Sequence, residues 1–155
     1  MIIAFTGHRI GRMPLDSEVK IRAFLEGMRD LHGENLRVIS GMAHGVDQLA
    51  ANIAVELGVP YTAAVPWVGF AGNWEPAHRE SYLGLLEKAE RVCVTADVQE
   101  YRPWVYQKRD EWMVDNSDLL ASVWDGVEAG GTWNTIKYAR KRGLQDRIMY
   151  LAEGK

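Results

Sequence analysis

The sequence predicts an α/β fold, a Rossmann-like, doubly wound, mostly parallel sheet with helices on both faces. Three observations predict it. Six short apolar runs recur along the chain, nearly continuous in apolar residues rather than alternating, as expected of strands covered on both faces. Helix-period segments separate them, and strands alternating with helices imply β-α-β units whose right-handed crossovers build a parallel sheet. Glycine-bearing turns stand at the ends of three of the runs, where an open parallel sheet binds its ligands.

The elements follow in chain order. "IIAF" (2–5), "LRVIS" (36–40), "YTAAV" (61–65), "RVCVT" (91–95), "LLASVW" (119–124) and "RIMYL" (147–151) are the strand candidates. Ile21, Phe24, Leu25 and Met28 recur on one face of a first helix. Val46, Leu49, Ala50, Ile53 and Leu57 do so in a second, which stops at Gly58 because glycine takes the left-handed conformation that closes a helix. Tyr82, Leu85, Leu86 and Ala89 mark a third helix, residues 105–117 a fourth, and residues 132–143 a fifth that ends at Gly143. The segment 66–81 holds two Pro, two Gly and two Trp and reads as a long loop over one edge of a site.

The chain has 155 residues, 47% of them hydrophobic and 25% charged, which suits one globular domain spanning residues 1–155. Its net charge is −3, so the broad basic footprint of a dedicated nucleic-acid binder is absent. Only "KYARKRG" (137–143) clusters cations. The single cysteine, Cys93, reads as a buried core thiol. Met1 opens directly into "IIAFTG", with no basic-then-apolar leader and no apolar run approaching a membrane span. The expectation is a soluble, cytoplasmic protein with no membrane partner.

"FTGHR", "SGMAHGVD" and "WDGVEAGGT" fall at the ends of the first, second and fifth strands. A glycine between strand and helix permits a tight turn and exposes backbone N–H groups without a Cβ in the way. The following helix aims its unpaired N–H groups and positive dipole end into the same space. Two such junctions suggest cradles for phosphate or carboxylate groups, although a single strand-Gly-helix turn serves equally well as a plain connection. On this reading Gly45 is needed so that an anion can approach, and a β-branched side chain there would block it. Gly7 and Gly11 lack the spacing of the dinucleotide fingerprint, and no P-loop motif occurs.

These residues resemble a known family. "TGHR" (6–9), "SGMAHGVD" (40–47), "RDEWMVDNSDLLASVWDG" (109–126) and "GGTWNT" (130–135) look like the SLOG superfamily, most closely its YpsA-like branch of small Rossmann-like proteins from bacteria and phages. "SGMAHGVD" is also similar to the corresponding stretch of the DNA-processing protein A family. The resemblance covers nearly the whole chain. It implies a site for a nucleotide or nucleotide-derived molecule, ADP-ribose-like ligands included. The implied contacts are Thr6, Gly7, His8 and Arg9 from the first turn, and Ser40, Gly41, Met42, Ala43, Gly45 and Asp47 from the second. Arg109 and Asp125 join them, with Gly130, Gly131, Thr132 and Asn134 from the last turn. Arg9 suits a bidentate phosphate contact. Asp47 suits a ribose hydroxyl, or simply the helix dipole.

Some SLOG relatives are phosphoribohydrolases that carry PGGxGTxxE and an earlier arginine. Here Ala129 takes the Pro place, Thr135 stands where the Glu would be, and Arg109 resembles the arginine. N-glycosidic cleavage benefits from a carboxylate, and without that Glu the chain reads as a sensor or binding protein. The alternative is an N-glycosidase or deoxyribosyltransferase-like enzyme acting on nucleotides, with Asp110, Asp118, Asp125, Glu75 or Glu128 as substitutes. Each of those carboxylates also suits a helix cap or a solvated face. The four histidines lack paired metal spacing, so neither a metal nor a cofactor is expected. Asn116 and Asp118 suit a helix end. Six tryptophans are present; Trp67 and Trp74 are candidates for stacking a base or for a core or homo-oligomer interface, while Trp112 and Trp124 read as packing.

Overall fold

The structure, a computed structural model, describes residues 1–152. Six parallel strands form one sheet: β1 (Ile2–Gly7), β2 (Arg37–Ser40), β3 (Tyr61–Val65), β4 (Arg91–Val94), β5 (Leu119–Val123) and β6 (Ile148–Tyr150). Their spatial order is β4-β3-β2-β1-β5-β6. Five helices cross between them: α1 (Ser17–His32), α2 (Val46–Leu57), α3 (Pro76–Lys88), α4 (Val105–Asp115) and α5 (Gly131–Lys141). The mostly parallel, doubly wound α/β sheet read from the sequence is therefore present, with every neighbouring pair parallel.

Alternate residues of the inner strands feed two cores. Ile3, Phe5, Val38, Ala63 and Val65 pack toward Ile21, Leu25, Val46 and Ile53 of α1 and α2, and toward Tyr82 and Leu85 of α3. Ala4, Ile39, Ala64 and Leu120 face Met113 and Val114 of α4 and Ile136 and Ala139 of α5. Both faces of the inner strands are thus buried, which is why these strands carry few polar residues. Truncating Ile21 or Leu25, both fully buried, to Ala would cost about 2–5 kcal/mol.

Two features depart from the sequence reading. β4 is an edge strand, and Arg91, Val92 and Val94 are exposed. Cys93 is consequently half-buried rather than a core thiol. The stretch 66–81 is a loop only as far as Glu75, because Pro76 opens α3, where its missing N–H costs nothing. Gly58 closes α2 in the left-handed conformation, as its position suggests.

The chain winds from β1 outward to β4, then returns to lay β5 against the other side of β1. The strand order reverses at the β1/β5 boundary, and a crevice opens at such a switch point beyond the carboxyl ends of the strands.

Candidate functional site

A cavity of about 380 Å³ occupies that crevice. β1 and its following turn supply Phe5, Thr6, Gly7, His8 and Arg9, and a short 3-10 turn (Ile10–Arg12) adds Arg12. Tyr106, Arg109, Asp110 and Met113 arrive from α4, and Gly131, Thr132 and Thr135 from α5. Leu120 completes a floor with Phe5 and Met113, and Ala43 and Asp47 border it from the second turn. The first, second and last glycine-bearing turns therefore converge, as the alternation of strands and helices implies.

The second turn is occupied by the protein itself. The Ala43 N–H donates to the Asp47 Oδ2 carboxylate oxygen at 3.2 Å, and the Val46 N–H donates to the His8 carbonyl at 3.1 Å. Ser40 Oγ accepts from the Met42 N–H and donates to the Asp47 carbonyl, while Gln48 Nε2 donates to the Met42 carbonyl. Ser40, Gly41, Met42 and Gly45 are buried in this network rather than lining the cavity. Met42 is held at φ 65°.

Gly45 has φ 143°, and a Cβ there would fall on the His8 carbonyl oxygen and within 2.7 Å of Arg9 Cα. Arg9 and Gly45 form an isolated antiparallel bridge. The glycine thus admits the backbone of the first turn, and the clash that a side chain would make is with that backbone, where the sequence reading set it against an anion. Gly41 answers to a different neighbour: a Cβ would stand 2.9 Å from both the Arg109 guanidinium carbon and Asp47 Oδ2.

That neighbour is a buried ion cluster. Arg109, only 5% exposed, donates from Nη1 to the Gly41 carbonyl at 2.6 Å and from Nε to Asp110 Oδ1 at 2.9 Å. Burial pushes the Asp47 carboxyl up to about 6, against the downward pull of Arg109. On the far side, Arg12 holds Asp125 at 2.7 Å. The Asp125 N–H donates to His8 Nε2 at 3.1 Å. Burial lowers the His8 pKa, against the upward pull of Asp125, whose Oδ1 lies 3.1 Å from the same Nε2. For Asp125, desolvation acts upward, but the Val127 N–H, Arg12 and His8 outweigh it and hold the carboxyl below its usual range. Arg9 makes no ion pair among the described residues; its guanidinium lies 5.9 Å from the Tyr106 ring centroid, close enough for a cation–π contact.

The last turn differs from the second. Gly130 precedes α5 with φ 92° and no side chain caps the helix, so its first N–H groups lack intrahelical acceptors. Gly131 and Thr132 of this turn face the cavity. Gly130, Asn134 and Asp125 stand outside its lining; Asn134 is exposed, and Asp125 acts on the cavity through His8 and Arg12.

Arg12, Tyr106 and Met113 were not anticipated as lining residues. The i, i+3, i+7 spacing of Tyr106, Arg109 and Met113 on one helix would have placed them together once Arg109 was chosen. Trp67 and Trp74 stand outside the cavity lining. Trp67 packs edge-on against Phe70, Tyr101 and Tyr106, and Trp74 against Phe70 and Tyr82. Trp124 stacks on Trp133 with 5.4 Å between centroids. Asp118 accepts the Ile2 N–H, and Asn116 donates to the Trp112 carbonyl at the end of α4. Glu75 and Glu128 are exposed. No group of three or more potential metal ligands occurs among the described residues, and none of their helices is long and apolar enough to cross a membrane.

The sequence model of the YspA SLOG family matches residues 4–151. The chain belongs to the SLOG family. Among its relatives, this SLOG chain is 26% identical over 111 residues to a UPF0398 protein of Bacillus cereus (strain B4264), covering 68% of the chain and 60% of that protein. It thus spans about 60% of the length of that relative. DNA processing protein A from Streptococcus pneumoniae shares the fold with a TM-score of 0.73 at 15% identity, over 91% of this chain and 47% of that one. The molybdenum cofactor carrier protein from Chlamydomonas reinhardtii does so with a TM-score of 0.63 at 14% identity, over 98% and 89%. These likenesses establish the fold of the SLOG chain.

Proposed function

We propose that residues 1–155 act as a single binding unit for a nucleotide or nucleotide-derived ligand, serving as a sensor or binding protein, with ADP-ribose-like molecules among the class its family resemblance suggests. The observation that carries this reading is the cavity at the β1/β5 switch point, where Arg9, Arg12 and Arg109 meet the uncapped first turn of α5. Guanidinium groups and free helix amides are the two devices by which proteins hold phosphate. The apolar floor of Phe5, Met113 and Leu120 suits the uncharged part of such a ligand. The molecule is held in the cytoplasm on this reading, without a membrane partner.

One observation favours N-glycosidic cleavage as a second reading. Asp47, raised to about 6, borders the cavity beside Asp110, and a carboxyl poised near neutrality suits proton transfer. A nucleic-acid ligand, which the name of DNA processing protein A brings to mind, is disfavoured by the net charge of −3.

A thermal-shift screen against nucleotides, ADP-ribose, NAD and cyclic nucleotides tests the reading, with chromatographic product analysis of every hit. The expected outcome is a raised melting temperature for a nucleotide-derived hit that is recovered intact. Turnover above about 1 s⁻¹ would replace the binder with the enzyme. A screen with no shift in any ligand would remove both.

A further inference from the structure

We propose that β4 is a docking edge for a second copy of this chain, which pairs with it antiparallel, strand against identical strand. This inference is independent of the nucleotide-binding reading above.

The first ground is the edge itself. β4 pairs with β3 on one side and, among the described residues, with no strand on the other. Such an edge presents peptide N–H and C=O groups that can pair with another chain. Proline, lysine or an inward-pointing charge commonly blunts an edge of this kind. β4 runs Arg91, Val92, Cys93, Val94, with Arg91 its sole charge.

The second ground is apolar surface. Val92 and Val94 are 49% and 47% exposed, and neither joins the two cores. Their neighbours on β3, Ala63 and Val65, are buried. The apolar character of the sheet therefore continues past the residues that this chain covers. A second β4 would give both valines cross-strand neighbours, the contacts that stabilise a sheet. Trp67 and Trp74, the other candidates for a contact between copies, are engaged in the aromatic cluster around Phe70.

The third ground is charge, which selects the occupant and its direction. Arg91 opens β4 and Asp97 lies just past its end; both are exposed. Nearby Glu90 and Glu100 are held by Arg37 and Arg102, whereas Arg91 and Asp97 make no ion pair among the described residues. In an antiparallel pair of identical strands, the start of one lies beside the end of the other. Arg91 then approaches the partner's Asp97, and the two-fold repeats the match. A parallel pair would set like charges together. The two-fold arrangement uses both edges at once and closes, joining the six strands of each copy in one sheet. The strand is short, so the dimer is reversible, in the class of interfaces below about 1,200 Å².

Sedimentation velocity of the full chain across a concentration series, with cross-linking through Cys93, tests the proposal. Cys93 is the single cysteine, half-buried and inside β4, so a covalent dimer can only join Cys93 to the partner's Cys93. A monomer–dimer equilibrium is expected, with a short-armed bismaleimide trapping the dimer in rising yield as concentration rises. Arg91→Glu and Asp97→Arg should each weaken dimerisation by about ten-fold, since the two-fold turns two attractions into two repulsions. The double variant Arg91→Glu/Asp97→Arg should recover most of that loss, which a damaged fold would not do. A chain that sediments as a monomer at every concentration overturns the proposal. So does a dimer that Cys93 fails to trap and that both charge changes leave intact, because its interface lies elsewhere.

Discussion

Arg9 and Gly45 touch through their backbones, yet they carry opposite expectations. Gly45→Val must place a Cβ against the His8 carbonyl and Arg9 Cα at φ 143°, a conformation that β-branched residues do not adopt. The variant is expected to lose roughly 3 kcal/mol or more of folding stability, read as a fall in denaturant midpoint. Arg9→Ala removes an exposed side chain with no ion pair among the described residues. Its stability should stay within about 0.5 kcal/mol of the wild type, while affinity for the best nucleotide falls by about 1.5–3 kcal/mol, the size of a charge-assisted hydrogen bond. A wild-type midpoint for Gly45→Val would mean that the two turns can separate freely. Unchanged calorimetric affinity for Arg9→Ala would remove Arg9 from the site.

At the scale of elements, the sequence showed the helix starts but not which of them is free. All six strands and five helices stand where apolar runs and helical periodicity put them, because burial on two faces writes itself into local sequence. The state of a helix N-terminus depends instead on residues distant in the chain. His8 closes α2 from 38 residues before Val46, and nothing in "SGMAHGVD" announces it. Arg12 and Tyr106 escaped notice for the same reason, since their contribution arises only when the 3-10 turn and α4 meet β1. β4 reads as buried because Val92, Cys93 and Val94 are apolar, yet it stands at the edge of the sheet, where no further strand pairs with it among the described residues. The distinction between the helix starts is measurable. On saturation with the best nucleotide, the amides of Gly131, Thr132 and Trp133 should show the largest nuclear magnetic resonance shifts and gain hydrogen-exchange protection. Those of Val46 and Gln48, already bonded in the free protein, should change little. Equal responses at both starts would put a ligand group on α2 as well.

The whole molecule pays for its buried ion cluster in a pH-dependent way. Asp47 titrates near 3.8 when unfolded and at about 6 when folded, chiefly through burial. Below pH 4 it is neutral in both states and costs nothing. Between pH 4 and 6 the folded state keeps the proton that the unfolded state releases, so folding stability falls as pH rises. Above pH 6 the cost is constant, roughly 3 kcal/mol from a shift of this size. Two other groups act in the opposite direction. His8, with its folded pKa lowered, withdraws stability as pH falls below about 6.5, and Asp125, also lowered, does so as pH falls below about 4. The wild-type profile mixes all three, whereas the difference between wild type and Asp47→Asn isolates one. An asparagine can still accept the Ala43 N–H, but its amide N–H groups need new partners. That adds an offset at every pH and leaves the slope untouched. The variant is therefore expected to gain on the wild type by roughly 3 kcal/mol between pH 4 and 7, followed by denaturant unfolding at half-unit intervals. A difference that stays flat across this range would show Asp47 to be ionised normally, with Arg109 compensating its burial in full.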